Sequence, residues 1–272
     1  MVIPKQLKQL LPPIDSLSRV SGGDIHLAYR VRLTSGRSIF VKTHKHPPQN
    51  IFQSEAWGLN SLNLINPGLC PKVIAVCDQG LALEWLDFKP GSASAKLGRQ
   101  LARLHQAGAP GFGGQPNNYL GTIVQRQPVC SNWCELYRDH RLLPLINNLP
   151  QPLRKDVDQL LPRLEKLLDL PDPPSWLHGD LWAGNAGETL DGRAIIFDPA
   201  VSTGHREQDL AMTMLFGGFS EEFYRAYHEV YPLTENWRER VGLHQLYPLL
   251  IHVVLFGSIY AAQARAVIKP WL

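Results

Sequence analysis

A chain of 272 residues, 44% hydrophobic and 19% charged, is long enough to bury one large core or two lobes and has a globular rather than a disordered composition. Lys and Arg number 27 against 24 Asp and Glu, a formal charge of +3 with no basic run, which leaves no compositional argument for a nucleic-acid partner. No segment reaches the ~18 consecutive apolar residues that span a bilayer, so a cytoplasmic protein without a membrane partner is expected.

A short helix over Lys5–Leu10 is stopped by Pro12-Pro13, and a strand-rich region follows. Ser21-Gly22-Gly23-Asp24 reads as a turn. Ile25, Leu27, Tyr29, Val31 and Leu33 then alternate strictly, the period of a half-buried strand, and Ser38–Lys42 is its hairpin partner. A Gly-Gly turn is weak evidence for phosphate binding by itself. Its context is Lys42 at a strand end, followed by Glu55 in a helical stretch, Gln53 to Leu62. A strand lysine held by a helix glutamate and aimed at α/β-phosphates is the arrangement of protein kinases.

Two further apolar runs, Pro71–Cys77 and Leu81–Trp85, complete an antiparallel sheet. The polar stretch Asp87–Gly91 after Glu84-Trp85-Leu86 reads as a hinge between a small β-rich lobe, residues 1–86, and a larger helical lobe, residues 87–272. Beyond it, helices are expected over Ala93–Ala107, Trp133–Leu143 and Leu153–Leu168, the last kinked or restarted at Pro162. His105 is read as a core or capping residue without a catalytic role. The four cysteines, Cys70, Cys77, Cys130 and Cys134, match neither a zinc site nor a disulfide scaffold and are expected to be reduced thiols. From Arg206 the chain is helical again, ending in one apolar helix over Gln245–Val267, while the stripe of Tyr224, Tyr227, His228 and Tyr231 is read as core.

The chemistry concentrates between Trp176 and Ala200. His178-x-Asp180-x-x-x-x-Asn185 has the spacing of a kinase catalytic loop, with glycine where protein kinases carry arginine. Asp180 would hold the acceptor hydroxyl and take its proton. Asn185 would give an amide oxygen to Mg2+, and His178 reads as a brace. Asp191-Gly192 turns the chain back toward Asp198, placed as the second Mg2+ ligand at a strand end. Asp-Gly and Asp-Pro pairs are common turn formers. A loop, a hairpin and a second aspartate in order, after a Lys and a Glu, are not.

His-Gly-Asp-Leu-Trp-x-Gly-Asn (178–185), Phe-Asp-Pro-Ala (197–200), Gly-His-Arg-Glu-x-Asp-Leu-Ala-Met (204–212) and Leu-Phe-Gly-Gly-Phe (215–219) resemble the fructosamine-3-kinase, or ketosamine-3-kinase, family. So do Asn-Asn-Tyr-Leu-Gly-Thr (117–122) and the stretch from Trp133 to Pro144. The His-Gly-Asp element is shared with aminoglycoside and choline kinases; the Leu-Trp after it and Phe-Asp-Pro-Ala are far more specific.

The resemblance implies an α+β, protein-kinase-like, two-lobed fold, ATP with Mg2+, and phosphorylation of the sugar 3-hydroxyl of a ketosamine on a free or protein-borne lysine amine. The unstable product frees the amine, so the activity implied is repair of glycated proteins. The resemblance also puts the nucleotide base at Glu84 to Leu86, the phosphates under Gly22-Gly23, the ketosamine against Trp182, and Asp209 behind the catalytic loop as a brace. Ala183 stands where the family usually has Ser, and residues 21–29 lack the redox-sensitive cysteine of some members. Two rival readings are another small-molecule kinase of the aminoglycoside or choline type and a pseudokinase binding module. The sequence assigns no oligomeric state.

Overall fold

The computed structural model describes residues 3–20, 26–90 and 94–272. The chain begins with α1 (Lys5–Leu10), β1 (Ile14–Val20), β2 (Leu27–Leu33) and β3 (Ser38–Thr43), then α2 (Ile51–Ile65), β4 (Val73–Cys77) and β5 (Gly80–Glu84). The five strands form one antiparallel sheet in the order β1-β2-β3-β5-β4.

Alternation along these strands sorts the two faces. Ile39, Val41 and Ala82 share a core with Leu7 of α1, whereas Leu81 and Leu83 share one with Phe52 and Leu59 of α2. Lys42, one position past Val41, therefore falls on the α2 side. The strand β1 escaped the sequence reading because it offers no apolar alternation: its interior residues are all exposed. Leu27, expected inside, is 42% exposed at the start of β2.

The hinge stretch contributes a strand of its own, β6 (Phe88–Pro90). After it come α3 (Ala95–Gln106), β7 (Asn118–Leu120), β8 (Ile123–Gln125), α4 (Trp133–Tyr137), α5 (Gln151–Leu160), α6 (Leu164–Leu167) and β9 (Ser175–Leu177). The expected helix from Trp133 to Leu143 leaves α-geometry at Arg138, passing through a π-turn into a 3-10 segment with Pro144 in its first turn. Pro162 does interrupt the next helix, through a short 3-10 turn between α5 and α6. Next are β10 (Ala186–Thr189), β11 (Ala194–Ile196), β12 (Ser202–Gly204), α7 (Glu207–Leu215), α8 (Glu221–Val230), α9 (Val241–Phe256) and α10 (Ala261–Ile268).

The single C-terminal helix expected from hydrophobicity is two helices. Gly257 takes φ +86°, a left-handed value that ends α9, and the chain restarts at α10. Pro248 is tolerated inside α9 because the His244 carbonyl, deprived of its helical donor, accepts from the Gln208 side-chain amide at 3.1 Å. Leu246, Leu249 and Leu250 of α9 lie in the core formed with α4, α5 and α10. A second core runs from Phe52, Leu59 and Leu62 of α2 to Leu97, Leu101, Ile196 and Phe223, so sheet and helical parts are packed into one unit. Of the stripe expected to be core, Tyr224 and Tyr227 are buried in it, whereas Tyr231 is half-buried and His228 is exposed. All four cysteines are free and buried. Among the described residues no helix is long and apolar enough to cross a membrane.

Candidate active site

The strands β9 and β12 pair antiparallel, Leu177 opposite Ser202. The loop leaving β9 and the segment entering β12 are thereby held side by side, and the Ala200 N–H donates to the His178 carbonyl at 2.9 Å. Between them β10 and β11 form the hairpin expected at Asp191-Gly192, and β10 also pairs with β6. Phe88 of β6 packs on Phe197, ring centroids 5.2 Å apart, immediately before Asp198.

Gly179 cannot be replaced by a residue with a side chain without movement here. It sits at φ +83°, and a Cβ would lie 2.1 Å from the Ala200 carbonyl oxygen.

Asp209, fully buried in α7, ties down the loop from behind. Its Oδ2 accepts from the His178 N–H at 2.7 Å and its Oδ1 from the Gly179 N–H at 2.9 Å. His105 supplies a third partner: its Nε2 lies 3.2 Å from Asp209 Oδ2 while its Nδ1 meets the Tyr227 hydroxyl at 2.8 Å. Burial opposes ionisation of Asp209, but these donors hold its pKa below the ordinary value. The sequence reads His105 as a core or capping residue; its place on a buried helix face signals burial but not its partner.

His178 uses both ring nitrogens locally. Nε2 donates to the Phe197 carbonyl at 3.0 Å, and Nδ1 accepts from the Asp180 N–H at 3.2 Å. Burial lowers its pKa, so the neutral ring that this pattern requires is the stable one.

Asn185 Nδ2 donates to the Asp180 carbonyl at 2.9 Å and to Asp180 Oδ2 at 3.1 Å. This fixes the amide, and its Oδ1 has no hydrogen-bond partner among the described residues. Burial and the Asp198 charge push the Asp180 carboxyl up to about 7, with Asn185 opposing.

Lys42 Nζ reaches both Glu55 oxygens, at 3.0 and 2.9 Å, and Asp198 Oδ1 at 2.7 Å. Burial works against the ammonium, but the two carboxylates outweigh it and raise its pKa. One cation serves two acids. Burial pushes Glu55 up to about 7 despite Lys42. Burial also disfavours charge on Asp198, yet Lys42 holds its pKa below the ordinary value, and its side chain remains 41% exposed.

Asp198 has φ +55°, a left-handed conformation rare for a residue with a side chain and further disfavoured before Pro199. Such strain costs on the order of 1–3 kcal/mol and persists where surrounding contacts over-determine it. It was invisible in the sequence.

Lys42, Glu55 and Asp198 are thus joined directly, and Asp180 and Asn185 are joined to each other. Asn185 connects to the residue before Asp198, its carbonyl accepting the Phe197 N–H at 3.0 Å. Asn185 Oδ1 and the second oxygen of Asp198 are hard donors of the type Mg2+ takes, so the residues fit that ion.

Glu84 ends β5 beside β3; its Oε1 meets Arg193 at 3.3 Å and its Oε2 accepts from the Lys72 N–H at 3.2 Å. Trp85 donates Nε1–H to Asp87 and lies under the Arg30 guanidinium, 4.5 Å from the ring centroid. Leu86 is half-buried after it. Gly22 and Gly23 lie outside the described residues. Trp182 is 38% exposed, its indole lying over Gly184, where a Cβ would come within 2.1 Å of the ring.

His26 was missed altogether. Its ring packs on Phe52 at 5.1 Å, and burial together with the nearby Lys42 lowers its pKa to about 4. No sequence signal marked it.

A family model described as fructosamine kinase matches residues 3–272. A candidate ketoamine kinase of Enterococcus faecium is 36% identical over 260 residues, covering 92% of this chain and 93% of its own length. The chloroplastic protein-ribulosamine 3-kinase of Arabidopsis thaliana is 32% identical, covering 95% of this chain and 83% of its own. The crystal structure of a candidate fructosamine-3-kinase from Thermobifida fusca superposes with a TM-score of 0.88 at 35% identity, covering 97% of this chain and 99% of that one. A choline kinase from Streptococcus pneumoniae, with a TM-score of 0.65 and 15% identity over 98% of this chain and 97% of its own, shares the fold.

Proposed function

The chain belongs to the fructosamine kinase family, and on that premise we propose that it transfers the γ-phosphoryl group of ATP to the 3-hydroxyl of a ketosamine. The carrying observation is the Lys42 ammonium clasped by Glu55 and meeting Asp198 at 2.7 Å. In phosphoryl transfer the protein mainly positions groups and neutralises charge, and these residues suit both tasks.

Lys42, fixed by Glu55, binds the α/β-phosphates, with the Gly22-Gly23 turn over them and Glu84, Trp85 and Leu86 beside the nucleotide base. Asn185 and Asp198 hold Mg2+, which supplies charge neutralisation at the phosphates when bound. Asp180 orients the sugar hydroxyl and accepts its proton as the O–P bond forms. Its raised pKa, about 7, makes it a competent acceptor near neutral pH. His178 and Asp209 are positioning residues that hold the loop, and Trp182 lines the ketosamine site. In this reading residues 1–86 form the nucleotide lobe and residues 87–272 the substrate lobe. The phosphorylated product falls apart and frees the amine, a deglycation that would serve repair in the cytoplasm.

Coupled ADP release, run side by side with fructosyl-, ribulosyl- and erythrulosyl-lysine, tests the reading. It requires Mg2+-dependent turnover of at least one adduct. Turnover of choline or an aminoglycoside with none of any ketosamine overturns it.

A further inference from the structure

Three buried side-chain amides converge on the backbone that follows Asp198. β7 and β8 form a hairpin with Asn118 opposite Gln125, and Gln127 lies two residues beyond it. Asn118 Nδ2 donates to the Val201 carbonyl at 2.6 Å, and Gln127 Nε2 donates to the same oxygen at 2.7 Å. Gln125 Nε2 donates to the Ala200 carbonyl at 3.3 Å and to Asn118 Oδ1 at 2.8 Å. Gln127 is held in its turn, its Oε1 accepting from Arg141 at 3.4 Å and its N–H donating to Asn117 Oδ1 at 2.9 Å. All three amides are at most 5% exposed.

Burying an amide is costly unless it is paired, so three of them on two adjacent carbonyls call for a reason. Asp198 supplies it. Its left-handed backbone before Pro199 is strained, and such strain persists where contacts on both sides over-determine it. On the N-terminal side the Phe197 N–H and carbonyl are bonded to Asn185 and His178. On the C-terminal side Pro199 has no N–H to hold. The chain is fixed instead at Ala200, whose N–H reaches the His178 carbonyl, and by the three amides on the Ala200 and Val201 carbonyls. Being neutral, the amides add no charge beside Lys42, Glu55 and Asp198.

The same hairpin reaches the other acid on Lys42. The Tyr119 hydroxyl donates to the Gln49 carbonyl at 2.7 Å, two residues before α2, the helix that carries Glu55. Val201 also packs on α2 at Gly58, where a Cβ would lie 2.8 Å from its side chain.

We propose that Asn118, Gln125 and Gln127 are positioning residues for phosphoryl transfer: they clamp the Ala200 and Val201 carbonyls and so hold Asp198 in the conformation that presents its carboxylate to the metal. The inference rests on the kinase reading above, in which Asp198 is a metal ligand, and it gives residues 117–122 a place in the site. Released from the clamp, Asp198 relaxes toward an ordinary backbone conformation and its carboxylate moves with it.

The test is binding of Mn2+, a paramagnetic stand-in for Mg2+, to the protein saturated with a non-hydrolysable ATP analogue, read by electron paramagnetic resonance. Gln127→Met removes one of the two donors on Val201, and Asn118→Leu/Gln127→Met removes both. Mn2+ affinity should fall about 10-fold in the single variant, the scale of residues standing behind a metal ligand, and further in the double. Affinity for the analogue without metal should stay at the native value. Val157→Ala, in the buried face of α5, lowers the melting temperature but should leave Mn2+ affinity unchanged. Native Mn2+ affinity in Gln127→Met, or an equal loss in Val157→Ala, overturns the clamp, and the single variant decides alone where the double does not fold. A native protein that binds neither Mn2+ nor the analogue strikes the kinase reading itself, which keeps the two failures apart.

Discussion

Lys42 Nζ lies 2.7 Å from Asp198 Oδ1, a residue 156 positions further along the chain. The same nitrogen is held by both oxygens of Glu55. A strand, a helix and the end of the catalytic hairpin therefore meet on one ammonium, and the left-handed Asp198 keeps a side chain that is 41% exposed. Lys42→Met leaves two carboxylates facing each other without their shared cation. The expected result is a loss of about 3 kcal/mol in urea unfolding, the scale of a broken buried pair, together with loss of turnover. Unchanged stability would show that Glu55 and Asp198 do not depend on the lysine.

Asp209→Ala strands three donors, the His178 and Gly179 N–H groups and His105 Nε2. Each buried donor left alone costs about 1–3 kcal/mol. Where the protein still folds, kcat should fall about 100-fold, as displacement of a reacting group by an ångström does. ATP affinity, measured by equilibrium titration, should persist. A parallel loss of ATP binding would contradict a role confined to the loop.

Gly184→Ala drives a methyl into the Trp182 indole, since the Cβ would lie 2.1 Å from the ring. Steady-state kinetics should show kcat/KM for the ketosamine falling about 10-fold, with KM for ATP unchanged. Equal effects on both substrates would mean that Trp182 does not line the sugar site.

Asp180 links stability to pH. Burial and Asp198 raise its carboxyl to about 7, against roughly 4 in an unfolded chain. Between those values the folded protein keeps a proton that the unfolded chain has released, so stability falls as pH rises through that window. Glu55, also raised to about 7, acts in the same direction. Asp180 is half-buried, so solvent screening limits its share. His26 and His178, whose pKa values burial lowers, act in the opposite direction below pH ~6.5. The expected outcome is therefore a difference: between pH ~5 and ~8 the melting temperature of the nucleotide-free protein should fall relative to that of Asp180→Asn. Identical slopes would exclude a raised Asp180 pKa.

What could be read from the sequence follows from which forces act locally. β2 and β3 declared themselves by alternation, and the hairpin at Asp191-Gly192 by its turn residues. β1 did not, because a strand exposed along its middle carries no apolar period. The break at Gly257 was hidden in an apolar run that continues on both sides. Lys42, Glu55, Asp180, Asn185 and Asp198 were legible as a set because phosphoryl transfer needs those groups in that order. Their joining through one ammonium, and the φ of Asp198, are products of tertiary packing. Asp209 was legible only through resemblance, since nothing local ties it to a loop 30 residues earlier. The amides of Asn118, Gln125 and Gln127 meet the carbonyls of Ala200 and Val201 only when the chain folds, and no window of sequence contains them.

The most direct test of the account is ketosamine-dependent ADP release by the native protein and by Asp180→Asn, with the product identified by phosphorus NMR. The account predicts Mg2+-dependent turnover that yields a sugar 3-phosphate, and an Asp180→Asn variant that binds ATP but does not transfer phosphate. Near-native phosphorylation by Asp180→Asn, or a phosphate placed on another hydroxyl, would contradict it.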